Sequence, residues 1–537
     1  MKRIIGLITV LLITVGVFAY LYFSNLHVDS RNNTRLLSEI PSDASLILTF
    51  QHEQDLFDIL KENTLFDTIA GSQQKAEIQF LRSFISKNST LEPLVKSQVV
   101  FLSFHPTQAA RVDYLWSINI NNIQKKDDIS KFLNLNNEFQ LKIFKENGVE
   151  VFQIDSHLLE GPFYLTFTKD IARGSSNKSL LLESSDKGSE KIDSEFIKII
   201  NEGIRKDENA LVNLFINYNK KALISPFLNR TISGNFALFE SFLGYSSLTL
   251  NYKKDALMFN GESYLKPNQS AYIKLFLNQS PVKNSLNQIM PYNTANSINY
   301  GISNLKAYQS DLRELFKENK ELEKLENQMK KITLETGLNP DRDLQKLWGN
   351  EFSTIQLSTF ENLAIIKLKN GTQMQFFMEI LSSSYSENIK KMNYGDIFYY
   401  YWGDPLKKYV KPFYMIQDNL LILSNSPSTL QRYLKDYNSN RFLVKLDTYK
   451  QFDQYVADQS NISFLLHYSN SGSLLQDLLK RNYAENFRTG KSGIKDLYAF
   501  SYQLTSNKSH FLTNIYTGYK LSTIQESVLN VDSLDIN

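Results

Sequence analysis

Val212-Asn213-Leu214-Phe215-Ile216-Asn217-Tyr218 and Ile462-Ser463-Phe464-Leu465-Leu466-His467-Tyr468 decide how this chain is read, because the second follows the first by 250 residues. In each, large apolar side chains fall on alternate positions: Val212, Leu214, Ile216 and Tyr218, then Ile462, Phe464, Leu466 and Tyr468. A period of two puts alternate residues on one face, so both segments are predicted as strands. The same offset links Pro41, preceded by Leu36-Leu37-Ser38-Glu39-Ile40, to Pro291, preceded by Leu286-Asn287-Gln288-Ile289-Met290. It links Pro162-Phe163-Tyr164 to Pro412-Phe413-Tyr414, and Leu250 and Tyr252 to Phe500 and Tyr502. Chance explains one match of apolar strands easily, but not one offset shared by four separated places, so an internal duplication is expected. Leu180-Leu181-Leu182-Glu183-Ser184 resembles Leu420-Leu421-Ile422-Leu423-Ser424 at a shift of 240, which predicts about ten extra loop residues near 172–179.

Composition agrees with a large β component. The chain of 537 residues carries 36 Phe and 29 Tyr but only 3 Trp, and Phe and Tyr favour half-buried strands. A net charge of +3, with basic and acidic residues interspersed, lacks the one-sided basic surface of a nucleic-acid binder, so no nucleic acid is expected. Cysteine is absent, which excludes disulfides, thiol catalysis and Cys-ligated zinc.

At the N-terminus, Lys2 and Arg3 precede an uncharged run over residues 4–23. At 1.5 Å per residue, that run makes about 30 Å of helix, the thickness of a bilayer core. Tyr20 and Tyr22 suit its interfacial end, and the flanking positive charges favour a cytoplasmic start. The run ends in bulky residues rather than the small ones a cleavage site needs, so an uncleaved signal anchor is preferred over a cleaved signal peptide. The expected localisation is the inner (cytoplasmic) membrane, single-pass, with the C-terminal bulk in the periplasm or outside the cell.

The expected fold class is α+β, two tandem copies of a mixed sheet-plus-helix unit behind one N-terminal transmembrane helix. The corresponding boundaries are a cytoplasmic stub (1–3), the span (4–23), a linker (24–35), a first repeat (36–265), a connecting segment (266–285), a second repeat (286–520) and a tail (521–537). A long charged helix is expected from about 312 to 334, with Leu315, Leu322, Leu325, Met329 and Ile332 on one apolar stripe. Asn339 is read as a helix N-cap, Pro340 as the first helical residue and Gly349 as a helix-ending residue.

Ile40-Pro41-Ser42-Asp43-Ala44-Ser45-Leu46-Ile47-Leu48 resembles the opening strand of an exported bacterial family known only as domain of unknown function 3352. Thr336-Gly337-Leu338-Asn339-Pro340, with Asp343-Leu344 and Leu347-Trp348-Gly349, is similar to another stretch of it. The likeness covers short stretches, about a tenth of the chain. The layout is also similar to large anchored proteins of Bacteroidetes-type bacteria. The resemblance implies an envelope protein and carries over no catalytic residues.

Motifs for chemistry are sparse. The six histidines are scattered with no His-Glu-x-x-His run, and there is no Gly-x-Ser-x-Gly elbow. Gly490-Lys491-Ser492 mimics the end of a phosphate loop, but Glu485 stands where its first Gly belongs. Ser184 and Lys187 satisfy Ser-x-x-Lys within a polar stretch read as a loop. No cofactor and no metal is called for. Phe398-Tyr399-Tyr400-Tyr401-Trp402 is less ordinary, since a strand there would carry aromatic rings on both faces. Core packing is the plainer reading. The alternative makes Tyr399, Tyr401 and Trp402 a platform for a ligand or partner.

The leading expectation is an anchored, non-enzymatic envelope protein acting by binding or scaffolding, with an envelope protein as partner and the membrane engaged through residues 4–23. A carrier or sensor of an apolar ligand held between the two repeats, and an unrecognised hydrolase, are the alternatives.

Overall fold

The computed structural model describes residues 33–50, most of 76–84, 98–106, 112–120, 139–218 apart from 169 and 208–209, 227–229, 234–267 apart from 254–255, and 271–519 apart from 482 and 486–496. These fall into two compact units, one formed by described residues up to 218 and the other by those from 227 onward.

The first unit contains β1 (Leu46–Phe50), β2 (Val100–Pro106), β3 (Val112–Asn119), β4 (Phe139–Glu146), β5 (Val149–Ser156), β6 (Phe163–Thr168), β7 (Ile171–Ser175) and β8 (Val212–Asn217). They pair antiparallel in the order β8-β1-β2-β3-β7-β6-β5-β4. Directly paired residues share a face, so the register sorts the side chains. One face is apolar, where Phe152, Ile154, Phe163, Leu165 and Phe167 close over Phe80 and Phe84. Gly174 is required there, because a Cβ would stand 2.7 Å from the Phe163 ring. The opposite face holds Thr49, Ser103, His105, Asp113, Ser117, Thr166, Arg173 and Asn213, all buried. The helix Lys178–Ser185 covers part of that face by setting Leu180 and Leu181 on Leu115 and Val151. That face also carries Ile47, Phe101, Leu115 and Phe215, and burying polar groups among them calls for hydrogen bonds such as those made by Ser103, His105, Asp113 and Arg173.

The second unit contains β9 (Gly244–Lys253), β10 (Ala256–Leu265), β11 (Val282–Lys283), β12 (Thr294–Gly301), β13 (Trp348–Leu357), β14 (Asn362–Leu368), β15 (Ser382–Ser384), β16 (Lys390–Met392), β17 (Phe413–Gln417), β18 (Leu420–Ser424), β19 (Gln459–Ser460), β20 (Ile462–His467), β21 (Leu497–Ser506) and β22 (Phe511–Tyr519). Its main ladder runs β9-β10-β22-β21-β20-β12-β13-β14-β18-β17-β16-β15, again antiparallel throughout. β11 and β19 form a separate pair.

The α+β expectation is therefore corrected. Among the described residues the fold is dominated by antiparallel sheet, with helices subordinate to it, and the two compact units do not coincide with two tandem sheet-plus-helix copies. What repeats is strand order. β20-β12-β13-β14-β18-β17-β16-β15 reproduces, strand for strand, the order in the first unit. Within the second unit, β10 and β22 meet about a pseudo-twofold. Glu262 pairs with Leu512, 250 residues away, and the adjacent Ser263 and Thr513 hydroxyls lie 2.5 Å apart. A second contact of the same kind joins Leu228 to Leu479, where Asn229 N–H donates to Leu478 C=O at 2.9 Å and Lys480 N–H to Phe227 C=O at 2.8 Å.

The membrane expectations are also corrected. The predicted span, residues 4–23, lies outside the described residues, and no helix among the described residues is long and apolar enough to cross a membrane. The longest, Leu322–Thr336, has 15 residues, short of the roughly 20 a bilayer core requires. The single-pass anchor and inner-membrane placement have no support in the structure and are dropped.

Local readings are corrected too. Leu180–Leu182 are helical rather than a strand, and β7 takes the ladder position that β18 holds in the second unit, so the shift of 240 does not stand. Ser184 lies in that same helix rather than in a loop, and its hydroxyl donates to Leu181 C=O. The long charged helix is two helices, Leu305–Glu318 and Leu322–Thr336, broken where Lys320 takes φ +60°. Asn339 does cap the helix Pro340–Asp343, its side chain accepting from Arg342 N–H. Gly349 follows Trp348, the cap of the short 3-10 helix Gln345–Leu347, and also opens β13, where a Cβ would meet Lys367 C=O at 2.6 Å.

Candidate functional site

Three constellations emerge from this scaffold. The first was not legible in the sequence. His105, on the polar face of β2, places Nδ1 2.6 Å from the Asp43 carboxylate and Nε2 2.8 Å from Ser103 Oγ. An Asp–His–Ser chain with these atom assignments has the connectivity of a nucleophilic triad. Asp43 fixes the imidazole proton on Nδ1, leaving Nε2 to accept from the serine hydroxyl. Access and oxyanion stabilisation both fail, however. Ser103 and His105 are fully buried and only Asp43 is half-exposed. Ser103 sits in a central strand, and Phe104, the next residue, is paired with Leu46 on one side and Tyr114 on the other. Backbone N–H groups committed to ladders cannot also receive an oxyanion. What the trio does is tie the Pro41–Ser45 turn to β2. That turn is held further by Ser42 N–H on Glu190 C=O and by an ion pair from the preceding Glu39 to buried Arg173. Burial first, and the nearby Arg35 charge second, push the Arg173 pKa down to about 10.

The second constellation contains the sequence-predicted platform. Residues 397–402 form a helix, not a strand, bounded by Asp396 at φ +62° and Gly403 at φ +74°. All six side chains are buried. Alternation cannot distinguish the two conformations when every position is apolar and every direction leads into packing. Tyr399 donates to Glu321, and Lys407 lies 2.8 Å from Glu321 and 4.8 Å from the centre of the Tyr399 ring. Tyr400 is held alike: its hydroxyl bonds Asp341 at 3.0 Å, and Arg313 stands over its ring while bonding the same carboxylate. The carbonyl of Trp402 lies 2.6 Å from the Tyr272 hydroxyl and 2.9 Å from that of Tyr308. Burial raises the pKa values of Tyr272, Tyr308, Tyr399 and Tyr401 well above the ordinary phenol value, so these phenols stay protonated. Burial works against the Glu321 carboxylate, but hydrogen bonds from Lys407 and Tyr399 outweigh it and hold its pKa below the usual value. Tyr401 and Trp402 pack on Trp348 inside the core, while Tyr399 packs on Phe316. No exposed stacking face is presented.

The third constellation is on the surface. Helix Gly371–Ile380 starts at Asn370, whose side chain accepts from Gln373 N–H at 2.9 Å. Gly371 is obligatory, since a Cβ would stand 1.9 Å from Asp418 C=O. Met374 and Met378 face inward. Phe376 and Ile380, one turn apart, face outward with 64% and 43% of their surface exposed, and Tyr385 in the following hairpin is 56% exposed. Lys346 stands 5.9 Å from the Phe377 ring centre and Lys391 5.1 Å from that of Phe413, which in turn contacts Tyr385. Sequence reasoning missed this stripe because Phe376-Phe377-Met378 reads as core.

Among the described residues no group of His, Asp and Glu side chains could hold a metal ion. In comparisons with family models, curated proteins and solved structures, the chain matches none.

Proposed function

We propose that this is a non-enzymatic binding or scaffolding protein that engages a partner through the helix Gly371–Ile380 and the hairpin after it. The observation that carries this reading is the outward pair Phe376 and Ile380 on one helix, with Tyr385 exposed in the hairpin that follows it. Large side chains held out of the core on a capped, well-packed helix are a loss to the free protein, and a partner that covers them recovers it. The test is a photo-crosslinking amino acid at position 376 in the full chain inside cells, with a control at the exposed Gln140 of β4. A discrete adduct at 376 and none at 140 is expected; no adduct at 376 refutes the proposal.

The connectivity of Ser103, His105 and Asp43 raises a second reading, a hydrolase, which the burial of Ser103 and His105 argues against. Incubation with a fluorophosphonate probe tests it directly. Labelling abolished by Ser103→Ala would establish it, and the burial of Ser103 predicts no labelling. The likeness to the exported family 3352 likewise stands as a proposal, supported by residues 40–48 and 336–349.

A further inference from the structure

We infer that the occupant of the Phe376–Tyr385 surface is an acidic peptide segment bearing large apolar side chains, presented by a partner protein. This rests on the binding reading above and narrows it.

The charges around the stripe argue for an acidic partner. Of its lysines, Lys390 is paired with Glu379 at 2.5 Å, which neutralises that carboxylate within the protein. Lys346 and Lys391 instead ride on aromatic rings, at 5.9 Å from Phe377 and 5.1 Å from Phe413. An ammonium held over a ring keeps its hydrogen-bonding capacity for an incoming carboxylate. The rings of Phe376 and Phe377 are in contact, with centres 5.5 Å apart. The exposed apolar face and the Lys346 ammonium are therefore continuous. At the hairpin, Tyr385 and Lys391 meet through the Phe413 ring.

The backbone supports an extended peptide. β15 follows the helix directly and pairs on one side with β16. Among the described residues it has no ladder on the other side, so it ends the sheet. An open edge beside apolar anchors is the arrangement that accepts an added strand. Of the other carboxylates, Asp343, which feels the Lys346 charge, is already paired with Arg342, and Glu387 at the hairpin tip near Tyr385 disfavours an anionic lipid surface, which would meet that tip first.

The experiment uses the full chain and three fluorescein-labelled peptides of about ten residues, alternating Leu-Glu, Leu-Lys and Ser-Glu, read by fluorescence anisotropy. Vesicles containing phosphatidylserine form a fourth arm, read by co-sedimentation. The Leu-Glu peptide is expected to bind at least about tenfold tighter than the other two, a difference easily resolved in a titration. Phe376→Ser with Ile380→Ser should abolish that binding. Lys346→Glu with Lys391→Glu, which alters only exposed positions, should reverse the preference toward Leu-Lys. Equal binding of Leu-Glu and Leu-Lys, or indifference to the charge reversal, overturns the acidic-partner inference and leaves the binding surface standing. Binding to vesicles with none to peptides overturns it also. If no probe binds and the crosslink at 376 is blank, both the inference and the function it rests on fall.

Discussion

Replacing Glu351 by Ala should destabilise the second unit by about 2–4 kcal/mol, from the loss of the acceptor for two buried donors. Glu351 is fully buried in β13 and accepts from Leu286 N–H at 2.9 Å and Asn299 Nδ2 at 3.2 Å, with a further bond from the Ser285 hydroxyl. Each orphaned donor costs about 1–3 kcal/mol, and relief from burying a carboxylate offsets part of that total. Glu351→Gln keeps one oxygen in place for both donors and should cost only about 1 kcal/mol. The pH dependence separates this account from simple cavity formation. Burial, the dominant effect, raises the Glu351 pKa above its ordinary 4.5, despite bonds from Leu286 and Ser285 and the charge of Lys367. The folded state therefore holds the proton more tightly than the unfolded chain. Its contribution is complete below the unfolded value and is lost as pH climbs through the folded one. Relative to the Gln variant, the wild-type protein should lose stability as pH rises above 4.5. Urea unfolding of wild type, Glu351→Gln and Glu351→Ala at a series of pH values measures all three quantities. A wild-type-minus-Gln difference that is flat or grows with pH would refute the assignment of a destabilised carboxylate, and an Ala variant within 0.5 kcal/mol (roughly the scatter of surface substitutions) would refute the donor count.

Ser103→Ala should cost about 1–3 kcal/mol by denaturant unfolding, since it leaves the buried His105 Nε2 without its partner. Trp402→Ala should cost about 3–5 kcal/mol, since the indole is fully buried against Trp348 and Phe352. A loss below about 1 kcal/mol would mean that this cluster is not packed as described. Gly261→Ala should prevent the β9–β10 ladder from closing, because its Cβ would stand 2.1 Å from Ser247 C=O. Reduced amide-exchange protection in β9 and β10 is the readout. Phe376→Ser with Ile380→Ser should leave stability within about 0.5 kcal/mol while lowering binding of a hydrophobic dye.

Three sites show how much of the candidate site was readable and why. Tyr399, Tyr401 and Trp402 stand out in the sequence, but a run of six consecutive aromatic and aliphatic residues carries no period. The left-handed residues at its ends and the Tyr272 and Tyr308 hydroxyls on Trp402 C=O make it a helix. His105 and Asp43 lie 62 residues apart and Ser103 only two from His105, so no motif spacing could announce the trio. The Phe376 stripe was hidden for the opposite reason, since apolar residues announce core until packing leaves them outside.

Strand periodicity was intrinsic to the chain: Val212 to Tyr218 and Ile462 to Tyr468 alternate, and both became strands, β8 at the end of the first unit's ladder and β20 inside the second's. Alternation is a local property of the covalent backbone, in which successive side chains point opposite ways whatever surrounds them. Which face of each sheet is polar, which aromatic residues are buried and which stand in solvent were decided only by the assembled ladders. Those outcomes depend on what is packed against each face, and that is set by pairings between residues far apart in the chain.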